Sequence, residues 1–253
     1  MSLLSNFDLS NPHNRIIVAL DVNTEEEVRK YVKLLKDYVG MFKVGFQLIH
    51  TVGGPQAVNI IHEEGGKVFY DCKLHDTTDT MQKSARDIAK MGVTLFNLHA
   101  SAGIPAMKAV MEVCGDSAVA AVSVLTSLNE EDCMRIYGTT IEAKVIMFAT
   151  DLITAHVPGL IGSPKESRLI KGSPILQQLF TVTPAIRPLW AVPNDQNPDR
   201  IMTPKKAILE AKSDFLVIGR PILQPPIEIE DPVTAAVMIG MEIRDALDEM
   251  GKR

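Results

Sequence analysis

Short apolar runs alternate with longer segments of helical period along most of the chain. The runs typical of strands cover residues 16–21, 41–44, 67–72, 93–98, 119–125, 157–161, 180–182 and 215–218. Most of them precede a stretch in which apolar residues recur at three- and four-residue spacing, a pattern that predicts a helix. Strands that alternate with helices in this way predict βαβ units and a parallel sheet.

The helical segments carry recognisable start and stop signals. The first begins near Asn23 or Thr24, with glutamates at 25–27 in its first turn, where negative charge favours the helix dipole. A Gly-Gly-Pro break at 53–55 precedes a helix that runs to residue 64. Further helical segments are predicted within 79–91, 104–114, 130–155, 203–211 and 232–250. The long proline-containing loop after residue 182 is the least regular part.

Eight strands with intervening helices predict a (β/α)8 barrel, an α/β fold that typically takes about 250 residues. The chain has 253 residues and no evident linker, so we expect a single domain over 1–253. The structural rival is an open, doubly wound sheet. Its usual Gly-rich turn after the first strand is missing, because Asp21, Val22 and Asn23 stand there. The barrel is therefore preferred, and its active site is expected at the strand ends.

Composition excludes several classes of protein. With 46% hydrophobic and 23% charged residues, the chain can bury a sizeable core. A formal charge of −5 gives no electrostatic footprint for nucleic acid. Three cysteines without a paired short spacing predict neither a disulfide framework nor a zinc site, and they fit a reducing compartment. Neither a secretory signal nor a run of ~20 apolar residues is evident, so we expect a cytoplasmic protein without membrane partners.

Charged residues gather at the end of the third predicted strand. Because side chains alternate along a strand, Asp71 and Lys73 should share one face, with Asp76 in the following loop. Lys43 ends the second strand and is a natural fourth member. Desolvating such groups costs several kcal/mol each unless they pair, so the array requires mutual ion pairs. A solvated turn with ordinary surface charges is the competing interpretation of this segment alone.

The spacing Asp-x-Lys-x-x-Asp and its neighbours resemble the orotidine 5′-phosphate decarboxylase family over nearly the whole chain. The resemblance is carried by Val-Ala-Leu-Asp at 18–21, Phe-Lys-Val-Gly-Phe at 42–46, Asp-Cys-Lys-Leu-His-Asp at 71–76 with Thr80, Leu-His-Ala-Ser at 98–101, Leu-Thr-Ser at 125–127, Thr-Pro-Ala-Ile-Arg-Pro at 183–188, Asp-Gln at 195–196, Thr-Pro at 203–204 and Val-Ile-Gly-Arg-Pro-Ile at 217–222. Each segment alone is weak, but the ordered set is highly specific. It implies a barrel that converts orotidine 5′-phosphate to UMP and CO2 in pyrimidine biosynthesis, without metal or cofactor.

The resemblance also implies catalytic roles. Lys43, Asp71, Lys73 and Asp76 would form an alternating charge network beside C6 of the pyrimidine. Lys73 would stabilise the carbanion left by CO2 and then protonate it, while Asp71 faces the departing carboxylate. In the family, the residues matching Asp76 and Thr80 reach the neighbouring subunit's active site. A homodimer with shared sites is therefore expected.

The implied substrate contacts divide between the nucleoside and the phosphate. Asp21 would bind ribose hydroxyls, with Thr126 near the pyrimidine and Ser163 against the base. The local alternatives are a helix cap for Asp21 and hydroxyls bonded to nearby backbone for the other two. The implied phosphate contacts lie after the seventh and eighth strands, the usual anion site of these barrels, and are Arg187, Gln196, Gly219 and Arg220. A Gly-Arg pair alone would usually mean a turn with a surface arginine.

Two histidines and one cysteine near these motifs are interpreted as non-catalytic. His75 and His99 are interpreted as supporting residues, and Cys72 as a core residue facing the helices. The sequence departs from the family at Cys72, at Thr-Thr-Asp over 77–79, and at Ala185, where a glycine is usual. None of these changes removes a reacting group.

Two rival functions stay open. The sugar-phosphate branch of the same superfamily, 3-keto-gulonate 6-phosphate decarboxylase and hexulose phosphate synthase, shares Asp-x-Lys-x-x-Asp but uses magnesium. Its second-strand ligand is acidic, whereas Lys43 cannot bind a cation. A catalytically silent nucleotide-binding barrel is the other rival. Association with orotate phosphoribosyltransferase would have to be between chains, because this chain is too short to hold both.

Overall fold

The computed structural model describes residues 7–191 and 202–252, which form one closed barrel of eight parallel strands. The strands are β1 (Ile16–Ala19), β2 (Met41–Val44), β3 (Val68–Leu74), β4 (Leu95–His99), β5 (Ala118–Val122), β6 (Gly159–Ile161), β7 (Phe180–Thr183) and β8 (Phe215–Ile218). Neighbours follow chain order, and β8 closes the barrel on β1 by pairing Val217 with Ile17. The predicted (β/α)8 architecture is confirmed.

Helices surround the barrel in the order that the apolar periodicity predicts. They are α1 (Glu25–Leu35), α2 (Phe46–Leu48), α3 (Gly54–Glu63), α4 (Thr78–Lys90), α5 (Ile104–Met111), α6 (Glu130–Tyr137), α7 (Ile141–Ala155), α8 (Pro164–Gly172), α9 (Pro204–Leu209), α10 (Arg220–Leu223) and α11 (Pro232–Gly251). Of the two candidate starts of α1, Thr24 is the cap, in a reciprocal capping box with Glu27. Among the described residues, no helix is long and apolar enough to cross a membrane.

The segment 130–155 forms two helices with a break between them. Helix α6 ends at Gly138, which has a φ of 70° and donates its N–H to the Met134 carbonyl. Glycine reaches this left-handed conformation at little cost, so it is the usual residue just past a helix end. Helix α7 then restarts at the cap Thr140. The glycine therefore explains why one predicted helical segment is two helices.

The core has an inner and an outer part because side chains alternate along each strand. Inward residues fill the barrel, with Met41, Phe69, Phe180 and Phe215 in one apolar cluster. Outward residues pack against the helices, where each fully buried large side chain contributes roughly 1.5–3 kcal/mol. Phe7 packs at the N-terminal end, with its ring 5.5 Å from that of Phe215. Apolar side chains thus fill the half of the barrel interior nearer the N-terminal ends of the strands, which we call the apolar plug.

The same alternation puts polar residues above this plug. Lys43, Asp71 and Asn97 each follow an inward apolar residue by two positions, on three adjacent strands. Tyr70 pairs with Phe96, so the next residues, Asp71 and Asn97, lie side by side. A charged layer therefore sits at the C-terminal mouth, where barrels of this kind carry their active sites.

Strand β3 does not continue as a regular strand to its end. Tyr70 lies opposite Phe96 but Leu74 lies opposite Leu98, so three residues of β3 face a single residue of β4. Lys73, inside this bulge, has a φ of 49°. Simple alternation predicts that Asp71 and Lys73 share a face. Their side chains do meet, but through a bulge and a left-handed residue that the pattern did not predict.

Candidate active site

A single buried carboxylate organises the mouth of the barrel. Asp71 is 8% exposed. Its Oδ1 lies 2.6 Å from Lys73 Nζ and accepts a second hydrogen bond, of 2.7 Å, from the Asn97 side-chain amide. Its Oδ2 lies 3.2 Å from Lys43 Nζ. Both oxygens therefore have a charged partner, as buried charges require.

This environment fixes the charge of Asp71. Burial alone would raise the pKa of its carboxyl. The ammonium groups of Lys43 and Lys73, with the hydrogen bonds from Lys73 and Asn97, outweigh burial and hold the pKa below its usual value. Asp71 is therefore ionised at neutral pH, between two cations.

Lys73 is held in an unusual backbone conformation. Its φ of 49° is costly for a residue with a Cβ, by roughly 1–2 kcal/mol. Its N–H donates to the Asn97 side-chain oxygen over 2.7 Å. Its ammonium also lies 5.0 Å from the centre of the Phe46 ring. Strain that the surroundings maintain is characteristic of functional sites, so this lysine is a candidate for chemistry.

Asp21 connects the charged layer to the end of β8. Its Oδ1 lies 3.8 Å from Lys43 Nζ, and its side chain is half exposed. It does not cap α1, because Thr24 does. A Cβ placed on Gly219 would lie 3.5 Å from Asp21 Oδ2 and 3.3 Å from the Ala19 Cβ. The loop after β8 thus approaches β1 closely, beside the lysine cluster.

A cavity of about 190 Å³ opens above this layer. Its polar lining comes from Lys43, Asp71, Lys73, Asn97 and Thr126. The rest of the lining is apolar and consists of Phe69, Val122, Val124, Leu125, Ile161, Gly162, Pro184 and Val217. A pocket with one charged wall and one apolar wall suits a flat ring that carries an anionic substituent. The structure brings predicted Thr126 into this pocket with the lysines.

A larger cavity, of about 810 Å³, lies beside helices α6, α7 and α8. Ser163 lines this cavity and not the smaller one. Its hydroxyl accepts the Glu166 N–H over 3.5 Å and so caps α8, which matches the local alternative weighed for it. Of the charged residues around the larger cavity, Glu142, Lys165 and Arg168 are exposed, and buried Glu166 accepts the Ser163 N–H over 2.7 Å. We take the smaller cavity as the active site because it contains the buried ion pairs.

The predicted phosphate ligands lie on the loops after β7 and β8. Arg187 is half-buried, and its N–H donates to the Met202 carbonyl over 3.0 Å, where the two ends of a long loop meet. Gln196 falls outside the described residues. Arg220 is exposed and is the first residue of α10, directly after Gly219. These positions are at the mouth, on the side of β8.

Asp76 does not join the charge cluster within this chain. In the described residues its carboxylate accepts only the neighbouring Thr77 N–H, over 2.6 Å, and it is exposed. Thr80 is also exposed, and its hydroxyl pairs with that of Thr77 over 3.1 Å. Of the four charges expected to converge, a single chain therefore brings together Lys43, Asp71 and Lys73.

The histidines and Cys72 surround the cluster without entering it. The rings of His75 and His99 are 5.3 Å apart, and His75 Nε2 pairs with the Ser101 hydroxyl over 3.3 Å. Burial, with His75 and Lys73 nearby, lowers the pKa of His99, which favours its neutral form. Burial raises the pKa of Cys72 to about 12. Such a thiol is a poor nucleophile, in agreement with a core residue.

Asn97 is the polar lining residue of the smaller cavity that the sequence pattern missed. It lies inside the apolar run 93–98, two positions after the inward Leu95. Its side chain is buried and bonds both Asp71 and Lys73. An amide at an inward position beside two charged strands was the available signal, because a buried polar group must have partners.

Comparison with known proteins gives a consistent result. Residues 14–238 match the family described as "Orotidine 5'-phosphate decarboxylase / HUMPS family". Orotidine 5′-phosphate decarboxylase from Geobacter metallireducens is 41% identical over 240 residues, covering 90% of this chain and 95% of that protein. The Geotalea daltonii enzyme of the same name is 39% identical over 237 residues, with the same two coverages. The crystal structure of orotidine 5′-phosphate decarboxylase from Lactobacillus acidophilus superposes with a TM-score of 0.74 at 29% identity, covering 90% of this chain and 98% of that one.

Proposed function

The chain belongs to the orotidine 5′-phosphate decarboxylase / HUMPS family, and from this premise we infer that it converts orotidine 5′-phosphate to UMP and CO2 in pyrimidine biosynthesis. The structural observation that best supports this chemistry is at the barrel mouth. There the ammonium groups of Lys43 and Lys73 both contact one buried carboxylate, that of Asp71. We propose that a soluble cytoplasmic homodimer performs this reaction without metal or cofactor.

Lys73 is the proton donor in this proposal. The bond between C6 of the pyrimidine and its carboxylate breaks, CO2 leaves, and the electron pair stays on C6. The Lys73 ammonium stabilises this charge as it develops and transfers a proton to C6, after which solvent reprotonates the amine. In support, Lys73 lines the cavity, and its Nζ is held by a 2.6 Å contact with Asp71.

Asp71 and Lys43 keep that ammonium in place. A carboxylate with a lowered pKa stays ionised and holds Lys73 by charge, while Lys43 balances it on the other side. Repulsion between Asp71 and the substrate carboxylate is a secondary contribution in this account. Lys43 and Asp21, which are 3.8 Å apart, are assigned to the ribose hydroxyls. Thr126 is assigned to the pyrimidine and ribose, and Ser163, which follows the next strand, is assigned to the base.

The phosphate is assigned to Gly219 and Arg220, with Arg187 and Gln196 from the preceding loop. Gly219 allows close approach of the backbone, and an exposed arginine offers a planar fork of donors to a phosphate monoester. Binding energy from this remote group would hold the base against the lysines, so a substrate without phosphate should lose turnover as well as affinity.

Asp76 and Thr80 are assigned to the active site of a partner subunit. Both are exposed on the segment that follows β3 and have only local hydrogen-bond partners in the described residues. Coexpression of a Lys73→Ala chain with an Asp76→Ala chain tests this assignment. Shared sites predict that the mixed dimer regains turnover, because one of its two sites then has both native residues. Mixed dimers as inactive as either parent would contradict sharing.

The magnesium-dependent sugar-phosphate branch is the nearest rival. Its acidic second-strand ligand is replaced here by Lys43, whose ammonium is 3.2 Å from Asp71 Oδ2. Ammonium groups have no lone pair for a cation.

One assay tests the proposed function. Purified protein treated with a chelator is mixed with orotidine 5′-phosphate, and CO2 and UMP are measured with and without added magnesium. We expect equal release of both products in the two conditions. Turnover that requires magnesium would favour the rival, and UMP binding without any CO2 release would indicate a silent nucleotide-binding barrel.

A further inference from the structure

Asn97 occupies the junction between the two groups to which the chemistry is assigned. We propose that Asn97 is a positioning residue, which sets the geometry of the Lys73 ammonium relative to the Asp71 carboxylate. The proposal rests on the proposed decarboxylation and names a residue that acts through the reacting groups.

Both ends of the Asn97 amide are used. Its nitrogen donates to Asp71 Oδ1 over 2.7 Å, and its oxygen accepts the Lys73 backbone N–H over 2.7 Å. Asparagine is the neutral side chain of this length that offers a donor and an acceptor together. Aspartate keeps the acceptor but loses the donor, and leucine has neither. The chemistry of both contacts is therefore specific to the residue type.

The bulge in β3 explains why an acceptor is needed here. Between Tyr70 and Leu74 the strand gains residues relative to β4, so its backbone leaves the regular ladder. The Lys73 N–H is bonded to the Asn97 side chain instead. Without this acceptor, an inward backbone donor would be left unpaired, and the left-handed φ of 49° at Lys73 would lose one of its restraints.

The donor end of the amide acts on the carboxylate. Asp71 Oδ1 accepts hydrogen bonds from Lys73 Nζ, at 2.6 Å, and from the Asn97 side-chain amide, at 2.7 Å. The two donors together fix the carboxylate plane, and the carboxylate in turn fixes the ammonium. Asn97 is 1% exposed, so solvent does not substitute for either contact. The Asn97 side chain thus restrains the backbone of Lys73 and also the Asp71 carboxylate that holds the Lys73 ammonium.

Two variants separate these contributions. Asn97→Leu removes both contacts with little change of shape, and Asn97→Asp removes only the donor. Displacement of a reacting group by 1 Å can cost about 100-fold in rate, so we expect kcat to fall by about that factor in Asn97→Leu. The affinity for UMP should stay unchanged, because UMP lacks the carboxylate that faces this end of the site.

The pH profile of Asn97→Asp distinguishes positioning from a general structural role. When the new carboxyl is protonated it can donate to Asp71 again, so kcat should recover as the pH falls. Proximity to ionised Asp71 should raise the pKa of the new carboxyl, while Lys43 from β2 and Lys73 from β3 act in the opposite direction. His99 from β4 titrates nearby, and Asn97→Leu reports its contribution because that variant has no new acid.

Ser117→Ala is the matched control. Ser117 is also buried, directly before β5, and its hydroxyl donates to the Val93 carbonyl over 2.7 Å. Losing that bond should lower the unfolding free energy and leave kcat unchanged. An effect on kcat that follows stability alone would then appear in the control as well.

The outcomes are distinct. Lower kcat, unchanged UMP affinity and recovery of Asn97→Asp at low pH support the proposal. Normal kcat in both variants, or equal loss of kcat and stability without acid recovery, overturns it while the wild-type reaction stands. Absence of CO2 release by the wild-type protein overturns the proposed function, and the positioning role with it.

Discussion

In the part of the chain that the structure describes, a buried aspartate is paired with lysine at each end of the barrel. At the C-terminal mouth, Lys73 Nζ lies 2.6 Å from Asp71, and at the N-terminal end Lys171 Nζ lies 2.7 Å from Asp214. The two carboxylates are similarly buried, with 11% and 15% of their side chains exposed. Distance and burial alone therefore do not tell which pair is functional.

The pair at the N-terminal end joins the starts of neighbouring strands. Lys171 also donates to the Leu179 carbonyl over 2.9 Å, just before β7. Asp214, just before β8, accepts the Thr181 N–H over 2.8 Å. A second cation, half-buried Arg15, interacts with Asp214 and donates to its backbone carbonyl over 3.3 Å. These contacts hold β7 and β8 together, which is a structural role.

The pair at the mouth is unbalanced and strained. Two ammonium groups share the buried Asp71 carboxylate, and the only further carboxylate near them, in the described residues, is half-exposed Asp21. Lys73 has a left-handed φ and faces a cavity. Excess buried positive charge beside a cavity favours a second anion. This contrast indicates that backbone strain and an adjoining cavity, more than distance or the number of cations, distinguish the proposed reactive pair from the structural one.

Asp71→Asn would change the balance at the mouth most strongly. Without the carboxylate, Lys73 loses its fixed position, and we expect kcat to fall by about 1000-fold, the upper cost of losing one preorganised electrostatic partner. Binding of orotidine 5′-phosphate should tighten, because its carboxylate would meet two cations and no anion. Kinetics and titration calorimetry measure the two effects, and weaker binding would contradict the excess-charge account.

Lys171→Met should lower stability and leave catalysis unchanged, in contrast to Asp71→Asn. Removing Lys171 leaves the Asp214 carboxylate without its ion-pair partner at 2.7 Å, which costs about 3–5 kcal/mol of unfolding free energy. Urea unfolding measures this loss. The kcat of the folded protein should be unchanged, and a large fall in kcat would show that the two ends are coupled.

Arg220→Ala tests the anion-binding side of the mouth. Loss of a charge-assisted hydrogen bond should weaken UMP binding by about 1.5–3 kcal/mol. Uridine, which lacks the phosphate, should bind the variant and the wild type equally. If UMP affinity does not change, the phosphate assignment is wrong.

Ala185→Gly tests strain away from the chemistry. Ala185 has a φ of 62° on the loop after β7, and glycine adopts that conformation without a Cβ clash. We expect the variant to be more stable by about 1 kcal/mol, measured by chemical unfolding. Lower stability would mean that the Ala185 methyl group contributes more by contact than its backbone strain costs.

Hydrophobic periodicity predicted the barrel well, because the burial of each strand is visible in the residues of that strand alone. The bounds of β2 and β8 agree with the runs 41–44 and 215–218, since a buried parallel strand must be apolar over its whole length. The same two-residue period predicted that Asp71 and Lys73 share a face, and their charged groups do meet, 2.6 Å apart. These parts of the site follow from the strands that carry them.

Other parts of the site depend on contacts that the sequence pattern does not carry. The sequence of β3 contains no glycine or proline that would indicate a bulge. Neither the left-handed conformation of Lys73 nor its bond to Asn97 was therefore predicted. Thr126 and Ser163 are both loop hydroxyls after neighbouring strands, and the path of each loop decided which lines the smaller cavity. The predicted role of Asp76 needs a second chain.

In the proposed reaction the Lys73 ammonium performs the chemistry, and buried lysine charge elsewhere in the barrel does not. Spectroscopy of orotidine 5′-phosphate consumption compares Lys73→Ala with Lys171→Met, each at a matched folded fraction. We expect Lys73→Ala to lose at least about 10,000-fold in turnover while still binding UMP, and Lys171→Met to turn over normally. Near-normal turnover by Lys73→Ala would show that Lys73 is not the proton donor.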